Sequence, residues 1–102
     1  GYLMGIYSTL QGTGLPCAYS HFKTKQDPPY IVYIGNGQDI FEADNTHYWK
    51  QNTYQVEYYF TTKNESNEAS IEGKLLEAGY LYEKSEDVYI EDQDVFVIYY
   101  YI

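Results

Sequence analysis

The sequence of 102 residues predicts an α+β fold: a single antiparallel β-sheet with two α-helices packed on one face, in the order α-β-β-β-α-β-β. Three observations carry that expectation. Strand-like runs outnumber helical ones, the connections between them are mostly of hairpin length, and the 15 tyrosines fall mainly inside the strand-like runs. Tyrosine offers a large apolar ring with a polar tip and suits half-buried strand faces.

Each element has a local reason. Leu3, Ile6, Tyr7 and Leu10 follow the i, i+3, i+4, i+7 spacing of one helical face. Gly12 and Gly14 end that helix and Pro16 prevents its continuation. Cys17 to Phe22 reads as a short strand, Asp27-Pro28-Pro29 as a rigid connector, and Tyr30 to Ile34 as the second strand. Gly35-Asn36-Gly37 is expected to turn the chain, and the polar stretch from Gln38 to Asn45 to loop outward. A long strand follows from Thr46 to Thr62, with Val56, Tyr58 and Phe60 on one face and Gln55, Glu57 and Tyr59 on the other.

The second helix is capped by Asn64 or Ser66 and carries Glu65, Glu68 and Glu72 toward its positive end. Ile71, Leu75 and Ala78 form its inward stripe, and Gly79 stops it. Leu81 to Lys84 and Val88 to Glu91 read as extended segments around Ser85-Glu86-Asp87. Asp92-Gln93 turns the chain into a last strand, Val95 to Ile102, which is apolar or aromatic on both alternating faces. Such a strand needs cover on its second side, from the same chain or from another copy.

A chain of this size makes one domain, 1–102, with a single core. Gly1 to Leu3 precede the single methionine, Met4, and the natural start is expected near it. Six Lys and no Arg stand against 15 Asp and Glu, for a net charge of −9. That balance repels a nucleic-acid duplex rather than gripping it. Solubility is the plain explanation of the charge, although a passage that must let DNA slide would also be acidic. Cys17 stands alone and can form no intrachain disulfide. No apolar run approaches the ~18 residues of a membrane span. A soluble intracellular protein with no membrane partner is expected.

Chemistry is sparsely signalled. His21 and His47 with Cys17 or Asp44 lack the spacing of a metal site. Cys17 and His21, four apart on a strand, would lie about 13 Å from each other, too far for a thiol and its base. Glu83, Glu86, Asp87, Glu91, Asp92 and Asp94 crowd around two turns without calcium-loop spacing and read as a solvated rim. Gly35-Asn36-Gly37 lacks the lysine and the helix of a phosphate loop. The tyrosine pairs could stack bases, but no basic groove accompanies them. No catalytic residue, cofactor or metal is expected. Helices on one face of a sheet leave the other uncovered, so tyrosine-rich surface should remain as an interface. Tyr58, Tyr59, Tyr99, Tyr100 and Tyr101 are the candidates for subunit contact.

Gly14-Leu15-Pro16-Cys17-Ala18-Tyr19-Ser20-His21-Phe22 and Pro29-Tyr30-Ile31-Val32-Tyr33 resemble the N-terminal half of the small tail completion proteins of long-tailed phages and prophages of Gram-positive bacteria. The likeness continues through Ala43-Asp44-Asn45, Tyr48, Tyr54 to Tyr59, Lys63-Asn64, the Glu68-to-Leu76 helix and Tyr82 to Glu86, and so covers nearly the whole chain except Gly1 to Leu3. It implies an α+β structural protein of the tail terminator or tail-to-head joining kind, sited at the virion's head–tail junction and assembled in the bacterial host cytoplasm. Its implied partners are copies of itself, commonly in a hexameric ring, together with the tail-tube protein and the head connector, with DNA as passing cargo. The family brings no catalytic residues.

A ring requires head-to-tail contacts that close on themselves. A hexamer would carry six times the charge of −9 on one chain, and an acidic lumen would not hold phosphates. The Gln38-to-Asn45 loop, with Asp39, Glu42 and Asp44, and the Glu83-to-Asp87 turn, with Glu83, Glu86 and Asp87, are the expected partner-facing surfaces. Two rivals belong to other classes. One is an acidic DNA mimic that inhibits a nucleic-acid-binding protein, which needs carboxylates in two rows. The other is an enzyme using the acidic cluster with a divalent metal, which would be stabilised by the ion.

Overall fold

The computed structural model describes residues 5–24, 26–44 and 47–102, with the backbone alone for 36–44 and 47–52. Its elements are α1 (Ile6–Gln11), β1 (Cys17–Tyr19), β2 (Tyr30–Asp44), β3 (His47–Phe60), α2 (Glu65–Glu77), β4 (Glu83–Lys84), β5 (Val88–Ile90) and β6 (Val95–Tyr101). The fold is α+β: six strands form one mixed sheet in the order β1-β2-β3-β6-β4, with β5 also paired to β6. The extended segments around Ser85 thus become two short strands that share one edge of β6.

The sheet is antiparallel except at one edge, where β1 runs parallel to β2 with Cys17 opposite Ile31 and Tyr19 opposite Tyr33. The expectation of a wholly antiparallel sheet is corrected there. The reason is the connection from Ser20 to Pro29, which is too long for a hairpin and carries the chain back to enter β2 in the same direction. Ser20 begins that reversal at φ 67°, and its N–H donates to the Tyr33 carbonyl at 2.8 Å.

A second correction concerns the turn and loop expected after Ile34. β2 runs through Gly35-Asn36-Gly37 and Gln38 to Asp44 without leaving the sheet; Asn45 lies outside the described residues. Gly35 pairs with Tyr54 and Gln38 with Asn52, so two residues of β2 oppose one of β3. A bulge of that kind absorbs turn-favouring residues inside a strand. Beyond it Phe41 stands opposite Trp49 and Glu42 opposite Tyr48. β1 pairs only with residues 31–33 and β6 only with residues 55–60. Among the described pairings, residues 38–44 and 47–52 therefore form a two-stranded ribbon reaching past the body of the sheet.

The core lies between the helices and one face of the sheet. Ile31, Tyr33, Val56, Tyr58, Phe60, Ile98 and Tyr100 meet Ile6 and Leu10 of α1, Ile71 and Leu75 of α2, and Ala78 at the end of α2. In α1 the apolar spacing holds for Ile6 and Leu10, but Tyr7 is exposed and Thr9 is buried in its place, its hydroxyl donating to the Gly5 carbonyl at 2.9 Å. Leu3 of that pattern lies outside the described residues.

α2 starts where Asn64 accepts from the Asn67 N–H at 3.1 Å, a side-chain cap for an otherwise orphan donor. It ends where Gly79, at φ 96°, lets the Tyr80 N–H reach the Leu75 carbonyl at 2.9 Å. No described helix is long and apolar enough to cross a membrane.

Candidate functional site

The alternation along three central strands sorts the tyrosines into two populations. Tyr30, Val32 and Ile34 of β2, Gln55, Glu57 and Tyr59 of β3, and Val95, Val97, Tyr99 and Tyr101 of β6 share the face away from the helices. Tyr30 stacks on its cross-strand partner Tyr59 with ring centroids 4.9 Å apart, and Tyr99 stacks on Tyr101 at 6.2 Å. Glu57 sits between these pairs, opposite both Val32 and Tyr99. It accepts a hydrogen bond from the Tyr59 hydroxyl at 2.5 Å and a longer one from Gln55 Nε2 at 3.4 Å.

Burial, reinforced by the Glu57 carboxylate, pushes the phenols of Tyr30, Tyr59 and Tyr99 above the ordinary tyrosine value. All three stay neutral hydrogen-bonding groups at physiological pH. The result is an aromatic sheet face whose polar tips are arranged around one carboxylate.

At one end this face deepens into a cleft of about 570 Å³. Its walls are the described lining residues between Ser20 and Pro28 (Ser20, His21, Phe22, Thr24, Gln26 and Pro28) and the turn at Asp92 and Gln93; its floor is Tyr30, Val32, Tyr59 and Val95. Phe22 stands edge-on to Tyr30 at 5.4 Å. These segments flank the outer face of β6 at Val95, which is buried.

A second cluster lies on the helix side. Glu68 of α2 is 3% exposed and is held by Lys84 Nζ at 2.9 Å and by Lys63 Nζ, 2.9 Å from its Oε2. Lys84 also reaches Glu72 at 3.0 Å, Lys63 reaches Asp87 at 3.0 Å, and the hydroxyls of Tyr82 and Tyr100 donate to Glu72 at 2.9 and 3.0 Å. Burial alone would raise the Glu72 carboxyl, but the hydrogen bonds from Lys84, Tyr82 and Tyr100 outweigh it and hold the group below the usual carboxylate range. Hydrogen bonds to Glu68 and Asp87 push the Lys63 ammonium up. Every charge here has an opposite one beside it, so the cluster ties α2 to β4 and to the loop before β5.

Of the residues expected at a subunit interface, Tyr59, Tyr99 and Tyr101 lie on the outer face, with Tyr101 43% exposed. Tyr58 and Tyr100 do not: both are 0% exposed, in the core beneath the helices. Each is one residue away from an outer tyrosine, and a pleated strand sends neighbours to opposite faces. Asp39, Glu42 and Asp44 belong to the ribbon strand and not to a loop; their side chains lie outside the described residues.

Glu83, Glu86 and Asp87 are all exposed, and Asp87 also pairs with Lys63. His21 lines the cleft. Cys17 packs against the core, where burial pushes its thiol up and makes it a poor nucleophile. Among the described residues no group of three or more His, Cys, Asp or Glu converges as a metal ion would need.

Sequence reasoning missed the cleft and the buried Glu68. The first depends on where the Ser20-to-Pro29 connection folds, for which Phe22 and Pro28-Pro29 were the available signal. The second was visible as a glutamate three residues before Ile71, on the inward side of α2.

No known protein family, characterised protein or solved structure matches the chain.

Proposed function

We propose that this protein is an assembly subunit that works by contact: a phage or prophage tail completion protein that closes the tail tube and joins tail to head through ring-like self-association, with no reaction catalysed. The observation that carries the reading is the outer sheet face, where Tyr30, Tyr59, Tyr99 and Tyr101 lie around Glu57 and neither described helix covers them. Aromatic residues with polar tips are enriched at the centres of protein interfaces. The ribbon of residues 38–44 and 47–52 adds two strand edges without a further described partner, and such edges pair readily with other chains. The resemblance along most of the chain supplies the particular partners: other copies, the tail-tube protein and the head connector, with DNA passing through an acidic lumen.

The test is light scattering across a concentration series, alone and with purified tail-tube protein. A ring-sized species, or a complex with tail tube, is expected, and Tyr99→Ala together with Tyr101→Ala should abolish it while the fold is kept. A strict monomer that ignores tail-tube protein at high concentration would sink the proposal.

A further inference from the structure

We infer that the cleft at the end of the outer face receives an arginine side chain from a basic partner protein. The inference names the chemistry of one partner for the face described above, and it rests on reading that face as a contact surface.

The lining states what would fit. The floor is aromatic and aliphatic, with Tyr30 stacked on Tyr59 at 4.9 Å and Phe22 edge-on to Tyr30 at 5.4 Å. Asp92 is the one carboxylate among the described lining residues, and none of them is a lysine. Its volume of about 570 Å³ lies in the range of built ligand pockets. An anion would meet Asp92 and the field of a chain of net charge −9, and a purely apolar group would gain nothing from either.

A guanidinium satisfies both halves of the lining. It is planar and weakly hydrated, lies flat against aromatic rings, and pairs with a carboxylate through parallel N–H donors. A lysine ammonium is more strongly hydrated and gains less on entering an aromatic cleft. Charge complementarity extends beyond the cleft, because an acidic protein steers a basic partner toward it. A second copy cannot be the donor, since this chain contains no arginine. The cleft is therefore assigned to a different protein, and self-association is left to the rest of the face.

The test uses the full chain labelled with ¹⁵N and a capped Gly-Arg-Gly peptide, with lysine and citrulline versions as controls. The peptide is taken to about 10 mM, above the ~1 mM dissociation constant of a weak single-side-chain ligand. Amide shifts should concentrate on Phe22, Thr24, Tyr30, Tyr59 and Gln93, be largest for arginine, and vanish for the uncharged citrulline. Asp92→Asn, at an exposed turn, should keep the fold and weaken arginine binding about five-fold, as expected for one partly solvated ion pair. Phe22→Leu should weaken it without altering the charge.

Silence in the cleft at the highest concentration, equal shifts with citrulline, or an Asp92→Asn variant that binds as before would each overturn the inference. Light scattering on the same samples separates the two proposals. Assembly with a silent cleft defeats this one alone, and an arginine-binding protein that neither self-associates nor binds tail tube defeats the assembly reading alone.

Discussion

The two faces of the sheet are built from the same strands and nearly the same residues, yet they do different work. Tyr58 and Tyr100 point toward the helices and are fully buried; Tyr59 and Tyr99, their immediate neighbours, point away and stay partly accessible. The inner tyrosines have partners inside the chain: Asn67 Nδ2 donates to the Tyr58 hydroxyl at 3.2 Å, and the Tyr100 hydroxyl donates to Glu72 at 3.0 Å. The outer ones lean on each other and on Glu57. One set holds the fold, and the other presents a surface. Residue type does not separate them; strand parity and the position of the helices do.

The largest test of that division is Tyr100→Ala, which should cost about 3–5 kcal/mol and unfold much of the protein. Tyr99→Ala, one residue away, should cost less than about 1 kcal/mol in the monomer while weakening any assembly. Urea denaturation of the two variants checks both values, and equal losses would erase the distinction between the faces.

Next in size is Glu68→Ala. Removing the buried carboxylate takes one partner from two ammonium groups, but Lys63 keeps Asp87, Lys84 keeps Glu72, and the two lysines are 46% and 35% exposed and can also turn to water. The expected loss is therefore about 1–2 kcal/mol, below that of a fully buried pair. The same denaturation experiment measures it, and a loss as large as that of Tyr100→Ala would mean that the ion network and not the aromatic core dominates the inner face.

The pH dependence sharpens the comparison from a second side. Glu72 is held below the ordinary glutamate value of about 4.3, so its contribution is complete above that value and is lost as the pH falls into the depressed range. Tyr100 and Tyr59 are raised, chiefly by burial and then by their bonds to Glu72 and Glu57. Their contribution is complete below the ordinary tyrosine value of about 10 and is lost as the pH rises through the raised range. Stability followed by circular dichroism should fall at both ends. Absorbance titration should show Tyr100 ionising only as the protein unfolds, and its reversible titration in the folded state would contradict its burial. The smallest effect on the helix side belongs to Asn64→Ala, which removes the cap of α2 and should cost about 1 kcal/mol without changing any outer-face property.

Much of this was legible in the residues. The α2 cap, its stripe of Ile71, Leu75 and Ala78, its stop at Gly79, and the alternation from Gln55 to Phe60 are short-range consequences of helix and strand periods. The turn expected at Gly35-Asn36-Gly37 failed because a bulge and a turn call for the same residues, and only a partner strand distinguishes them. The tyrosines expected at the interface divided because all were taken by type, whereas parity sends Tyr58 and Tyr100 inward.

By itself the sequence determined which residues of β3 share a face, where α2 is capped and where both helices stop, and that the chain is acidic and free of arginine. Those properties follow from backbone period, capping chemistry and composition, each of which acts within a few residues or needs no structure at all. The tertiary structure decided which sheet face the helices cover, that β1 joins β2 in parallel, and that the Ser20-to-Pro29 connection and the Asp92 turn close a cleft over the other face. These depend on segments distant in sequence meeting in space, and pairing and packing at that range are decided by the whole core together.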